Sequence, residues 1–139
     1  MEFGVSGNVT DRLQTISSYT YMKSKIVQSN NAAEVGREFG NTPRHSFNVW
    51  SNYRLPRGFD LGGGITYTGA RFNGNTNTSR LADGYWVADA TASYRVSEEL
   101  TLRLNVNNLT NERYIDRVGG GHFVPGPGRM AMLSMDYGF

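Results

Sequence analysis

The side chains with the widest chemical repertoire are sparse in this chain of 139 residues, and none is spaced for catalysis. There is no cysteine, which removes disulfide frameworks, thiolate zinc sites and thiol nucleophiles. His45 and His122 are the only histidines, and no His or carboxylate cluster has metal-ligand spacing. Serines and aspartates occur without a nucleophile elbow or a base arrangement. Gly119-Gly120-Gly121 is not a phosphate loop, because neither a Lys-Ser/Thr ending nor a helix follows it. Asn8-Val9-Thr10, Asn77-Thr78-Ser79 and Asn108-Leu109-Thr110 match the glycosylation acceptor pattern, as Asn-rich chains often do by chance. The expectation is no enzyme, no cofactor and no protein-held metal.

Composition leaves two broad classes open. Hydrophobic residues make up 38% of the chain, and mean hydropathy is -0.48. A soluble domain has such values. So has a β-barrel between lipid and water, which needs apolar residues only at every second position. Apolar runs such as 130–133 fall far short of the about 20 residues that a spanning helix requires. The opening Met1-Glu2-Phe3-Gly4 lacks the basic start and apolar stretch of a secretory signal. With 14 basic and 12 acidic residues and no basic cluster, no nucleic-acid partner is implied.

The elements that position these side chains have a period of two. Seven strand-like segments are predicted at 2–9, 13–27, 44–55, 59–70, 84–96, 100–107 and 128–139. The connections at 10–12, 56–58 and 97–99 are tight; those at 28–43, 71–83 and 108–127 are long and polar. A turn of helix is expected within 31–39. Strict alternation of short turns and long loops is the plan of a transmembrane barrel. The fold class is therefore all-β, an antiparallel transmembrane β-barrel meander of about seven strands.

Two faces emerge. Trp86, Ala88, Ala90, Ala92 and Tyr94 alternate with Tyr85, Val87, Asp89, Thr91 and Ser93. Leu100, Leu102, Leu104 and Val106 alternate with Thr101, Arg103 and Asn105. Pairing across 56–58 sets Tyr53 by Leu61, Val49 by Ile65 and Phe47 by Tyr67 on one face. On the other face it sets Arg54 by Asp60, and Trp50 by Gly64, where a missing side chain leaves room for the indole. Pairing across 97–99 sets Tyr94 by Leu102 and Ala90 by Val106, so the apolar faces agree. The first hairpin aligns Phe3 with Tyr19, although Thr15 and Ser17 interrupt its face. Trp86 and Tyr94 stand about 26 Å apart along a strand, or about 20 Å along the membrane normal after tilt. That separation suits two aromatic girdles. An odd number of antiparallel strands does not close simply, and an open sheet in lipid leaves backbone groups unpaired. Met1 is expected to be an arbitrary start and Phe139 a natural end of a longer barrel.

The sequence from Leu102 to Arg129 sharpens this picture. Asn107-Asn108-Leu109-Thr110-Asn111-Glu112-Arg113-Tyr114 and Pro125-Gly126-Pro127-Gly128-Arg129, followed by a last strand ending in Phe139, resemble the C-terminal end of TonB-dependent outer-membrane receptors, the ferric-siderophore group in particular. Tyr19-Thr20-Tyr21 with Ser24-Lys25, and Asn41-Thr42-Pro43-Arg44-His45, resemble earlier strands of the same barrels.

The resemblance implies a 22-stranded barrel around a plug, of which 1–139 is the C-terminal part without the plug. It implies location in the outer membrane of a Gram-negative bacterium and a ferric siderophore as transported ligand. It also implies energy from the TonB complex through an N-terminal box outside this chain. The barrel-assembly machinery would read the C-terminal strand, with Phe139 as its signal. Ligand contact would fall to inward or loop aromatic and basic side chains: Trp50, Arg71, Phe72, Tyr85, Tyr114, Arg117, His122 and Phe123. Arg71 or Arg117 would meet an anionic ligand, and Tyr114 or Phe123 its organic scaffold. Arg54, Asp60, Arg95, Arg103 and Asp136 would form the lumen wall or touch the plug. The alternatives are a small structural or adhesion barrel, an outer-membrane enzyme, and an inactive truncated remnant.

Overall fold

β-Branched and aromatic residues at alternating positions, broken by Gly, Pro and Asn-rich connections, favour strands throughout. The computed structural model describes residues 1–76 and 81–139, so the Asn77-Thr78-Ser79 triplet lies outside the described residues. Seven long strands form one antiparallel sheet: β1 (Glu2–Asn8), β2 (Leu13–Tyr21), β3 (His45–Arg54), β4 (Phe59–Thr68), β7 (Tyr85–Arg95), β8 (Leu100–Asn107) and β11 (Met130–Tyr137). They follow one another in chain order, and β1 and β11 are its two edges. The long connections contain two small hairpins, β5 (Arg71–Phe72) with β6 (Leu81–Ala82), and β9 (Ile115–Gly119) with β10 (His122–Pro125). A single 3-10 turn, Ala32–Glu34, occupies the segment where a helical turn is expected.

Observed register matches the predicted pairings at both later hairpins. Tyr53 faces Leu61, Val49 faces Ile65, Phe47 faces Tyr67, and Arg54 faces Asp60. Tyr94 faces Leu102, and Ala90 faces Val106. The same parity continues across the sheet, because Leu102, Leu104 and Val106 face Met135, Leu133 and Ala131. A single apolar face thus runs from β1 to β11. At its long-loop end, Phe47 and Tyr67 pack on Trp86 with ring centroids 6.2 and 4.6 Å away. At its short-turn end, Phe59 stacks on Tyr94 at 4.2 Å. The interruption at Thr15 has a local remedy: its hydroxyl pairs with that of Ser51 at 2.9 Å, so neither is left without a partner.

The opposite face is polar and cross-linked. Asn48 donates to the Thr66 hydroxyl, and the Thr91 hydroxyl donates to Asn105, each at 2.9 Å. Trp50 lies over the glycine run of β4 and donates its indole N–H to Asn52 Oδ1 at 2.9 Å. A Cβ on Gly64 would stand 2.5 Å from Trp50 Cε3, and one on Gly62 would stand 3.1 Å from Cζ2. Glycine there makes room for the indole, as its pairing with Trp50 predicts.

The main difference from the sequence expectation lies in the long connections. The regular part of β2 ends at Tyr21, not at 27. Beyond it the chain enters a layer of loops tied to one another: Asn41 N–H donates to Phe72 O, Gly40 N–H to Asn75 Oδ1, and Asn73 Nδ2 to His122 O. Among the described residues, Ile26, Ala82, Val87 and Val118 are the buried apolar ones, and all lie in this layer or at its base. Burial therefore sits at one end of the sheet and not along either face.

Candidate functional site

Three of the predicted contact residues come together at the long-loop end of the polar face. The N-terminal end of β7 presents Tyr85, whose ring lies 4.2 Å from that of Tyr114 in the connection before β9. The Arg71 guanidinium stands over the Tyr85 ring, 5.5 Å from its centroid. Gly126 packs against the Tyr114 ring and donates its N–H to Tyr114 O at 2.9 Å. Tyr114 is thereby held by both contacts. Burial pushes its phenol above the usual range, and the neighbouring Tyr85, Asp116 and Asp89 add to the effect. It is a neutral, rigid aromatic surface at physiological pH. A cleft of about 700 Å³ opens here, lined by Asp83, Tyr85, Glu112, Arg113, Tyr114 and Pro125 among others.

Arg71 is buried, and its two terminal nitrogens are engaged. They donate to Asp116 O at 2.7 Å and Ile115 O at 2.5 Å, clamping the start of β9. Its planar fork suits two carbonyls on successive residues. Arg117 is exposed and lies 3.3 Å from Asp116. His122 opens β10 and contributes its carbonyl to Asn73, while Phe123 pairs with Val118 across the same hairpin. Phe72 pairs with Leu81. Trp50 stands elsewhere, on the wall above the glycines of β4.

The five residues expected on the lumen wall fall into two adjacent rows near the short turns. Arg54 faces Asp60, which faces Ser93, then Arg103, then Ser134. Arg95 faces Thr101, which faces Asp136. Arg54 and Asp60 are 4.0 Å apart and well exposed, so their pairing contributes little to stability. Phe139 follows β11, on the parity of Tyr137, with ring centroids 6.5 Å apart.

Sequence reasoning missed the residues that hold this end together. Asn108 is 2% exposed and sits at a φ of 50°. Its amide nitrogen donates to Glu112 O and Pro127 O at 2.9 and 3.0 Å, and its oxygen accepts from Glu112 N–H at 2.8 Å. Its own N–H donates to Asp89 at 2.7 Å. Asn111, at a φ of 56°, accepts from Arg129 N–H at 3.0 Å. The signal was the Asn-rich stretch itself, since asparagine tolerates left-handed backbone and bonds locally. Among the described residues, no group of three or more His, Asp or Glu side chains is placed to hold a metal.

Known proteins are similar to this chain in sequence and fold. The chain is 34% identical over 144 residues to the catecholate siderophore receptor Fiu of Escherichia coli K12, an alignment covering 99% of this chain and 19% of that protein. It is 34% identical over 145 residues to the probable TonB-dependent receptor BfrD of Bordetella pertussis, covering 96% and 19%. The crystal structure of the siderophore receptor PiuA from Acinetobacter baumannii superposes with a TM-score of 0.89 at 26% identity, over 98% of this chain and 21% of that one. The chain spans about a fifth of the length of the curated relatives it matches. Residues 1–109 match the family described as TonB dependent receptor-like, beta-barrel. With its seven-stranded antiparallel sheet, its apolar face and these relatives, the chain belongs to the family of TonB-dependent receptor β-barrels of the outer membrane.

Proposed function

We propose that this chain is the C-terminal portion of a 22-stranded receptor barrel that takes up ferric siderophores, energised through the TonB complex. The observation that carries the reading is a sheet with one apolar and one polar face, crowned at its long-loop end by the Tyr85–Tyr114 cleft. Relatives named as siderophore receptors support the ligand class. The ferric ion would arrive wrapped in the siderophore's own oxygens, so the protein need recognise only the outside of the complex. Tyr85 and Tyr114 would pack against its organic scaffold. Arg71, committed to two carbonyls, would support this surface, while Arg117, His122 and Phe123 would line the mouth beside it. Trp50 would meet the ligand deeper in the lumen. The rows of Arg54, Asp60, Arg95, Arg103 and Asp136 would face the plug, a separate N-terminal domain of the receptor. The energy-coupling box would lie N-terminal to that plug, and the last strand with Phe139 would be read by the barrel-assembly machinery.

Uptake of radiolabelled iron as a ferric siderophore tests this in cells whose only such receptor carries this segment. Accumulation should stop when the proton gradient is collapsed. Replacing both Tyr85 and Tyr114 by Ala should weaken binding about five- to 150-fold, given about 0.5–1.5 kcal/mol for each aromatic contact. Accumulation indifferent to the gradient would exclude TonB-energised transport.

A further inference from the structure

The three long connections span 22–44, 69–84 and 108–129. Among the described residues, the second and third line the Tyr85–Tyr114 cleft and the first does not. The first is nevertheless bonded into the same layer, through one short stretch of the second. Phe72 O accepts from Asn41 N–H, and Asn75 Oδ1 from Gly40 N–H, each at 2.8 Å. Toward the third connection, Asn73 Nδ2 donates to His122 O at 3.2 Å, and Asn73 Oδ1 accepts from Gly121 N–H at 3.3 Å. Arg71 holds Ile115 O and Asp116 O in its fork. Among the described residues, the hydrogen bonds that cross between connections therefore meet at 71–75.

Packing follows the same route. A cleft of about 230 Å³ is lined by 40–41 from the first connection, 118–120 from the third and 73–75 from the second. The outer two thus face each other across open space, and 73–75 bridges them. A Cβ on Gly40 would stand 3.0 Å from Gly74 Cα, so those two backbones lie in contact. Arg71 and Asn73 are both buried. Arg71 Nε is sealed without a hydrogen-bond partner, a penalty that access to water would relieve. The Asn73 bonds are long for N–H donors. The closed arrangement is therefore held against a standing cost. Arg71 also joins this stretch to the cleft, since its guanidinium stands over Tyr85.

We propose that 71–75 is the keystone of the mouth: the three long connections open to solvent as one unit, and a displacement at Tyr114 reaches 22–44 through it. The coupling stands on these contacts alone; its use during uptake rests on the reading above. Hydrogen exchange of the detergent-purified whole receptor, without ligand, reads it. Asn73→Ala removes the bonds to His122 and Gly121 and leaves the acceptors of Gly40 and Asn41 in place. Exchange should quicken about tenfold at Gly121, and by the same factor at Gly40 and Asn41. Asn75→Ala removes the acceptor of Gly40 N–H, and exchange at Gly121 and Gly126 should quicken about tenfold. In the double variant the factors should multiply, to about 100-fold at Asn41 and Gly126, whose own acceptors remain. Wild-type rates at Asn41 in Asn73→Ala overturn the proposal, as does a double variant in which each connection shows only its own factor. Amides of β7 and β8 should keep their rates, and equal acceleration there would mean general loosening and overturn it too. If Asn73→Ala does not reach the heat-modifiable form, Asn75→Ala alone decides, read at Gly121 and Gly126. Loss of transport in the unmutated receptor would count against the uptake reading and leave the coupling standing.

Discussion

Asn108 makes four hydrogen bonds from one nearly sealed position, and they tie it to three other stretches of chain, at Asp89, Glu112 and Pro127. Alanine there keeps the backbone donor but strands Glu112 N–H and the carbonyls of Glu112 and Pro127. It also places a side chain without local bonding in the left-handed region. The cost should be about 2–4 kcal/mol, seen as a lower temperature for loss of folded gel migration. Glu38 offers a milder test. Arg44 bonding holds its carboxyl below the usual carboxylate range. The stabilisation is therefore complete above the ordinary carboxylate pKa and is lost only as pH falls through the lowered value. Hydrogen exchange at Phe39, whose N–H donates to Ser24, should stay slow at pH 5 and quicken only in stronger acid. In Arg44→Gln its protection should be lower already at neutral pH, because the pairing is gone.

At the level of elements, seven strands were legible because lipid and lumen impose opposite demands on alternate side chains. A one-residue slip would turn Leu102, Leu104 and Val106 into the lumen, so their register could be read from polarity alone. The strands β5, β6, β9 and β10 had no such signal. They lie in the loop layer, where both sides meet water or other loops and alternation is not required. Their placement depends on long-range bonds that no local pattern encodes, such as Arg71 reaching Ile115 and Asp116. The tight part of the site was hidden for the same reason: Tyr114 was visible as an aromatic, but not the Gly126 that braces it. Arg71→Ala should free two carbonyls and release the β9–β10 hairpin, at about 2–3 kcal/mol. Amide exchange there should accelerate about 30- to 150-fold while β7 and β8 remain protected. Arg71→Lys should not rescue it, because a single ammonium lacks the fork.

For the molecule as a whole, the sheet has two edges, β1 and β11, whose outer backbone groups need partners in hydrocarbon. Location in the outer membrane follows from the family, and the apolar face explains how it is possible: Leu133, Met135 and Tyr137 are 72%, 66% and 59% exposed. Such values would be a liability in water and are ordinary against acyl chains. The Tyr85–Tyr114 cleft was not legible, because it is assembled from loops whose mutual docking the sequence does not display.

The confinement of burial to the loop layer divides the cohesion of this structure into two kinds. Between the girdles, backbone ladders keep their strength because no water competes for them. In the cap around Ile26, Ala82, Val87 and Val118, the driving force is release of water from small apolar surfaces. Chaotropes that wet such surfaces would thus loosen the mouth while leaving the wall standing. A barrel built this way can lose order at its rim while its seat in the bilayer holds.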